Sequence, residues 1–276
     1  MTAILIILIV IVAILFIAYP LALRPNTRRR EQMQPFEKVM IAHRGFFDNE
    51  TEYPENSLSA FQRAVEAGYG IELDVQLTTD EKLVVFHDAS LKRMCGIDRK
   101  VTECSYVELQ QYTLANSSQK IPMLDEVLSV IDGRAPLIVE IKPEGNCIRT
   151  AELLNARMTD YDGIYCIESF HPLVVAWYYR HQPEVIRGQL SSDFMKENEG
   201  LNCLVRFLMS NLLLNFFTKP DFIAYNHKYS DQPSYRLCRK LYQVENAAWT
   251  IKSQAELERA RENFQICIFD SFIPKE

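Results

Sequence analysis

The reading turns on Ile71-Glu72-Leu73-Asp74-Val75-Gln76, followed after a polar turn by Leu83-Val84-Val85-Phe86-His87-Asp88. Side chains on a strand alternate between faces, so Ile71, Leu73 and Val75 share one side and Glu72 and Asp74 the other. A turn centred near Thr79 to Glu81 folds the second run back antiparallel and brings His87 roughly opposite Asp74. Two carboxylates and an imidazole then converge on one patch. An apolar strand that ends in His-Asp delivers polar side chains to a site, where an ordinary strand would end in turn residues.

Working outward, Val39-Met40-Ile41-Ala42 is a short buried strand that runs into His43-Arg44-Gly45. Pro54-Glu55-Asn56-Ser57 opens a helix from Leu58 to Ala67, with Asn56 or Ser57 as N-cap and Gly68 as its stop. Ile121 to Leu128 reads as the start of a helix that ends at Gly133, and Leu137-Ile138-Val139-Glu140-Ile141-Lys142 as the next strand. Further strands fall at Ile164–Ile167, Val185–Leu190, Phe222–Tyr225, Ala247–Ile251 and Ile266–Phe269. Helices at Pro172–Arg180, Pro233–Leu241 and Ser253–Asn263 separate most of them. About eight parallel strands with intervening helices, plus the His87 strand as a return arm, is the count of a (β/α)8 TIM barrel, whose active sites lie at the strand C-termini. His43, Glu72, Asp74 and Glu140 all sit at such ends. No Gly-x-Gly-x-x-Gly is present to serve a dinucleotide in an open sheet.

The front of the chain differs. Ala3–Leu23 is uncharged and nearly all Ile, Leu, Val, Ala and Phe, the length and composition of one N-terminal transmembrane helix. Arg24, Arg28, Arg29, Arg30 and Lys38 follow, a basic flank that the positive-inside rule keeps cytoplasmic. The expected organisation is a membrane segment over residues 1–23, a juxtamembrane linker over 24–38 and a catalytic barrel over 39–276, single-pass, with the barrel on the cytoplasmic side. The net charge of −6, with acids and bases interspersed, gives no basic stripe for nucleic acid. Seven scattered cysteines without a Cys-x-x-Cys pair argue against structural zinc and suit free thiols in a reducing compartment. Residues 201–217 read as a broadly apolar helix with a narrow polar stripe, either packed against the barrel or lying on a bilayer.

The chemistry follows from residue type. Oxygen donors from Glu72, Asp74 and Glu140 suit one hard divalent cation, Mg2+ or Ca2+. His43 and His87 can divide the base and acid roles near neutral pH. Arg44 can grip phosphate oxygens as a fork, Gly45 lets the main chain approach closely, and Lys142 adds a second positive charge. Together these are the parts for metal-assisted phosphodiester cleavage.

His43-Arg44-Gly45, Pro54-Glu55-Asn56-Ser57, Glu72-Leu73-Asp74-Val75, Val85-Phe86-His87-Asp88 with Leu91 and Arg93, Ile121-Pro122 and Glu140-Ile141-Lys142 stand in the order and spacing of the glycerophosphodiester phosphodiesterase family. The chain resembles a membrane-anchored, bacterial-type member over roughly residues 40–270. The resemblance implies a TIM barrel of the phospholipase C-like type that hydrolyses glycerophosphodiesters to glycerol 3-phosphate and an alcohol. It also implies His43 and His87 as the acid/base pair, Glu72, Asp74 and Glu140 as metal ligands, and Arg44 and Lys142 as phosphate contacts. Trp249 would be an apolar wall for the glycerol unit, and a cyclic intermediate could form by attack of the neighbouring glycerol hydroxyl. Two departures, Lys252 after the Trp-Thr-hydrophobic run and Phe269-Asp270-Ser271-Phe272-Ile273-Pro274 at the close, bear on the alcohol accepted. The alternatives are lysophospholipase D action on membrane lysophospholipids and, in another class, an inactive phosphodiester-binding barrel.

Overall fold

The computed structural model describes residues 2–197, 200 and 202–275, without the side chains of residues 2, 3, 7, 8, 10–13 and 15. Among the described residues nine strands form one sheet: β1 (Ile41–Ala42), β2 (Gly70–Leu77), β3 (Leu83–Val85), β4 (Leu137–Ile141), β5 (Tyr165–Ser169), β6 (Arg187–Ser191), β7 (Phe222–Asn226), β8 (Glu245–Ile251) and β9 (Ile266–Phe269). Neighbours run β1, β9, β8, β7, β6, β5, β4, β2, and β1 also pairs with β2, so the parallel strands close into a (β/α)8 barrel. The return arm β3 is the antiparallel exception, appended to β2.

The alternation read on β2 sets the layers. Ile71, Leu73 and Val75 pack outward in one cluster with Phe61 and Ala64 of the helix Leu58–Glu66 and Val127 and Leu128 of the helix Leu124–Ile131. Every residue of β2 is nevertheless buried, because Glu72, Asp74 and Gln76 point into the barrel. Lower in the barrel a separate core gathers Ile138, Cys166, Phe222, Ala247 and Ile266. The Phe222 ring has room there because residue 188 is glycine; a Cβ at Gly188 would stand 2.3 Å from Phe222 Cζ.

Residues 24–38, expected as a juxtamembrane linker, form part of the fold. Met33 and Phe36 are fully buried and close the base of that inner core. Arg29 pairs with Glu184 at 2.6 Å and Arg30 with Glu245 at 2.8 Å. The basic flank thus pins this segment to the bottom of the barrel.

A helix over Thr2–Leu23 is present, with no acidic residue in its first turn and no basic one in its last. The expected transmembrane span is not borne out: among the described residues no helix is long and apolar enough to cross a membrane. One physical reason is that the last turn is bound to the barrel. Leu23 is buried, Tyr242 Oη donates to Pro20 O at 2.7 Å, and Asn215 Nδ2 donates to Leu23 O at 3.1 Å. The 17 residues Thr2–Ala18 remain, about 25 Å of helix against a hydrocarbon core of about 30 Å.

The single apolar helix expected over 201–217 is also corrected. Leu201 lies outside the described residues; Cys203–Ser210 and Asn215–Thr218 are two helices, parted at Leu212, which takes a φ of 55°. The break lets Leu212 and Asn215 turn into the protein, whereas Leu204, Phe207 and Phe216 stay exposed. The helix Cys147–Met158 was not anticipated, although Cys147, Ala151, Leu154 and Met158 trace its buried stripe. Residues 88–121 pack as a satellite around Phe86, Leu91, Met94, Val101, Leu109 and Leu114, and this excursion carries Arg93 toward the mouth.

Candidate active site

Each donor reaches the mouth by a local device. The chain leaves β1 through two left-handed residues, Arg44 (φ 56°) and Gly45 (φ 83°). A side chain in that conformation is strained by about 1–3 kcal/mol, and the site holds it by two bonds. Arg44 N donates to Glu72 Oε2 at 2.9 Å, and Asn56 N donates to Arg44 O at 2.9 Å. Ser57, whose hydroxyl accepts from Ala60 N, is the N-cap of Leu58–Glu66. That leaves the Asn56 side chain to donate to Asp74 Oδ2 at 2.8 Å.

Glu72, Asp74 and Glu140 offer carboxylate oxygens that all lie within 4.8 Å of one another, and all three are buried. β2 and β4 pair with Asp74 beside Glu140, which is why the strand register assembles them. Lys142 Nζ stands 3.4 Å from Asp74 Oδ1 and 2.9 Å from Glu140 Oε1. Arg44 Nε lies 3.5 Å from Asp74 Oδ2. Burial drives Glu72 well above the usual carboxylate range, and the charges of Asp74 and Glu140 push the same way. Burial also raises Asp74, but His87, Lys142 and Arg44 outweigh it and hold that carboxyl below its ordinary value.

The donor set fits a hard divalent cation. Glu168 at the end of β5, paired in register with Glu140, adds a fourth buried carboxylate, raised by burial and by Glu140 and Asp74. Four buried acids face two fixed cations, Arg44 and Lys142, and one divalent ion would balance the excess. Glu168 Oε2 makes no hydrogen bond, and Asp74 Oδ1 and Glu140 Oε1 are met only by the Lys142 ammonium.

The imidazoles flank this patch. His43 Nδ1 lies 2.9 Å from Asp270 Oδ2, and its Nε2 lies 3.9 Å from Glu72 Oε2. Burial and the adjacent Arg44 charge push His43 down to about 4, against the opposing pull of Asp270. His87 is displaced by one place from its expected partner. Val75 pairs with Val85 and Phe86 N donates to Asp74 O at 2.9 Å, so Phe86 stands opposite Asp74. His87 follows past the strand end, on a segment bracketed by Gln76 Nε2, which donates to Phe86 O and Asp88 O at 2.8 Å each.

His87 Nδ1 is 2.7 Å from Asp88 Oδ1. Arg93 links Asp88 (2.7 Å) to Glu55 (2.7 Å), and Glu55 in turn accepts from Arg44 Nη1 at 2.7 Å. Both imidazoles thus connect to Arg44, His43 as its chain neighbour and His87 through this ion-pair relay.

One cavity is lined by His43, Arg44, Glu72, His87, Glu140, Glu168, Phe170, Trp249 and others. Lys142 and Asp74 lie against it through their contacts with Glu140, so the structure brings together all eight residues singled out in the sequence. Trp249 packs edge-on to Phe170 with centroids 5.4 Å apart, an apolar wall opposite the acids. Lys252 Nζ lies 3.8 Å from Asp270 Oδ1, at the rim beside the His43 partner. Sequence reasoning passed over Glu168, Asp270 and Asn56. For Glu168 a signal existed, since Ile167-Glu168-Ser169 ends an apolar strand in an acid as Glu140 does. Asp270 meets His43 only through barrel closure, and Asn56 is free to reach Asp74 because Ser57 takes the cap.

A parallel barrel with buried carboxylates and two imidazoles at its mouth defines a class: a phosphodiesterase barrel with a cluster that could hold a metal ion. Residues 43–269 match the Glycerophosphoryl diester phosphodiesterase family. A glycerophosphodiester phosphodiesterase of Bacillus altitudinis is 31% identical over 170 residues, 57% of this chain and 68% of that protein. A lysophospholipase D of Rattus norvegicus is 32% identical over 151 residues, 50% of this chain and 45% of that protein. Among solved structures, an Oleispira antarctica phosphodiesterase in complex with the product sn-glycerol-3-phosphate superposes with a TM-score of 0.68 at 23% identity, covering 84% of this chain and 92% of that one. A Thermotoga maritima glycerophosphodiester phosphodiesterase does so at 0.65 and 24%, covering 84% and 95%.

The chain belongs to the glycerophosphoryl diester phosphodiesterase family, and it is a phosphodiesterase.

Proposed function

We propose that the chain hydrolyses glycerophosphodiesters to glycerol 3-phosphate and an alcohol, with Glu72, Asp74 and Glu140 holding one Mg2+ or Ca2+. The observation that carries this reading is the cluster of three buried carboxylates beside Arg44 and Lys142, with His43 and His87 lining the same cavity. The cation would neutralise phosphate charge and polarise its oxygens. Arg44 and Lys142 anchor the phosphate as fixed positive charges.

His43 is neutral at pH 7, and Asp270 occupies its Nδ1, which leaves Nε2 to accept a proton. It takes that proton from the glycerol hydroxyl next to the phosphate. The oxygen bonds to phosphorus while the bond to the alcohol breaks, and His87, oriented by Asp88, protonates the departing alkoxide. Water then opens the cyclic phosphate in the reverse sense to give glycerol 3-phosphate. Trp249 and Phe170 form the wall for the carbon skeleton.

The proposal places the enzyme at a lipid bilayer. Its support is the helix Thr2–Leu23, which lacks charge and exposes Ile4, Ile6, Ile9, Phe16 and Ile17. Seven free thiols are consistent with a barrel on the cytoplasmic side.

The test is a substrate panel of glycerophosphocholine, glycerophosphoethanolamine and lysophosphatidylcholine, run with EDTA and with Mg2+ or Ca2+ added back. Release of glycerol 3-phosphate from the first two, abolished by EDTA and restored by one of the ions, is the expected result. Turnover of none, or EDTA-insensitive turnover, refutes it.

A further inference from the structure

The last turn of the helix Thr2–Leu23 lies against the helix Pro233–Tyr242, and both run in the same direction. Tyr19 Oη meets Ser234 Oγ at 2.5 Å; four residues on in each helix, Cys238 Sγ donates to Leu23 O at 3.4 Å. The helix Pro233–Tyr242 follows β7, so it starts at the mouth of the barrel and descends to the base, where Arg30 bonds Gln243 O. Asn26 N donates to Pro220 O at 2.8 Å, just before β7 begins, again at the base. The chain therefore runs along the flank of this helix to the base at Asn26, with the Tyr19 hydroxyl reaching Ser234 toward the mouth and Pro20 O accepting from Tyr242 Oη at 2.7 Å. Thr2–Ala18 continue the other way, about 25 Å of helix beyond that flank.

Other apolar side chains stand beside that exit. The helix Cys203–Ser210 is tied to the rim by Ser191 Oγ, at the end of β6, which donates to Met209 O at 3.0 Å. Its C-cap Asn211 accepts from Ser234 Oγ at 2.6 Å, the same hydroxyl that meets Tyr19. Leu204 and Phe207 project from this helix, 66% and 48% exposed. Behind it a row of rings steps inward, Phe194 to Phe170 at 6.0 Å and Phe170 to Trp249 at 5.4 Å, ending at the cavity of the carboxylates. Arg29 and Arg30 of the basic flank lie at the opposite end, paired at the base.

We infer that the mouth of this barrel docks on a lipid bilayer, with the exposed apolar side chains of Thr2–Ala18 lying against the membrane beside it and Leu204 and Phe207 seating in the interface. Phosphodiesters that carry one acyl chain then reach the carboxylates from the membrane, along the ring-lined wall. The inference rests on the bilayer placement proposed above.

The full chain, reconstituted into phosphatidylcholine vesicles containing headgroup nitroxide lipid, tests the geometry. A fluorophore on the exposed Cys203 should be quenched several-fold more than one at the base, on Lys38→Cys in a Cys203→Ser background. Equal quenching, stronger quenching at position 38, or none at either position overturns the docking. In the same vesicles Leu204→Asp with Phe207→Asp should lower hydrolysis of lysophosphatidylcholine about tenfold and leave glycerophosphocholine turnover unchanged. An equal effect on both substrates, or none on either, removes these two side chains from the interface. A chain that cleaves neither substrate but shows the quenching pattern would end the proposed reaction and leave the docking standing.

Discussion

The two ends of the barrel are built on one inward-facing alternation and carry opposite chemistry. At the base the inward positions are Ile138, Cys166, Phe222, Ala247 and Ile266, closed by Met33 and Phe36. At the mouth they are Glu72, Asp74, Glu140 and Glu168, buried just as deeply. The base gains free energy by excluding water. The mouth loses it, since like charges are desolvated together. One end holds the barrel shut, and the other holds donors in a geometry they would not choose without a cation.

Substitutions at the two ends should separate these roles. Glu72→Gln keeps the shape and removes one charge from the acid cluster. It is expected to lower kcat/KM about 10^4-fold while the EDTA-treated protein melts no lower than the parent. A fall in melting temperature would mean that the mouth stabilises the fold. His43→Ala should cost about 10^3-fold, with metal affinity retained.

Phe36→Ala should do the reverse. About 3–5 kcal/mol of stability is lost in denaturant unfolding, with kcat/KM per folded molecule near the parent value. A catalytic defect there would join the base to the chemistry.

The pH profile sharpens the comparison. His43 sits at about 4 rather than 6.5 because it is buried beside Arg44. Lowering pH protonates it and removes the base, so the acid limb of kcat/KM belongs well below 6.5, and a bound cation pushes it further the same way. A limb at 6.5 or above would contradict the assignment. The smallest effect is expected at Asp270→Asn, which keeps a partner for His43 Nδ1 but not its charge, at about tenfold in kcat.

Much of this was legible in the chain. The strand alternation at Ile71–Val75 fixed two inward acids, and the strand ends at His43 and Glu140 marked the mouth. The eight-strand count and its closure follow from repeated apolar runs separated by capped helices. What was not legible depends on contacts distant in sequence. The His43–Asp270 pair requires β1 to meet β9, and Asn56 reaches Asp74 only because Ser57 takes the cap. Local hydropathy made residues 201–217 one helix. The structure breaks it at Leu212, since burying that side chain and Asn215 outweighs helical continuity. Hydropathy likewise marked residues 3–23 as a span, but could not show that Tyr19–Leu23 are committed to the barrel.

The claim that the mouth is a cation site is open to direct calorimetry, independent of turnover. EDTA-stripped protein titrated with Mg2+ or Ca2+ should bind one ion per chain with release of protons, since Glu72 and Glu168 are raised in its absence. Asp74→Asn should abolish that binding. No heat of binding in the parent, or an unchanged isotherm in Asp74→Asn, would contradict the account.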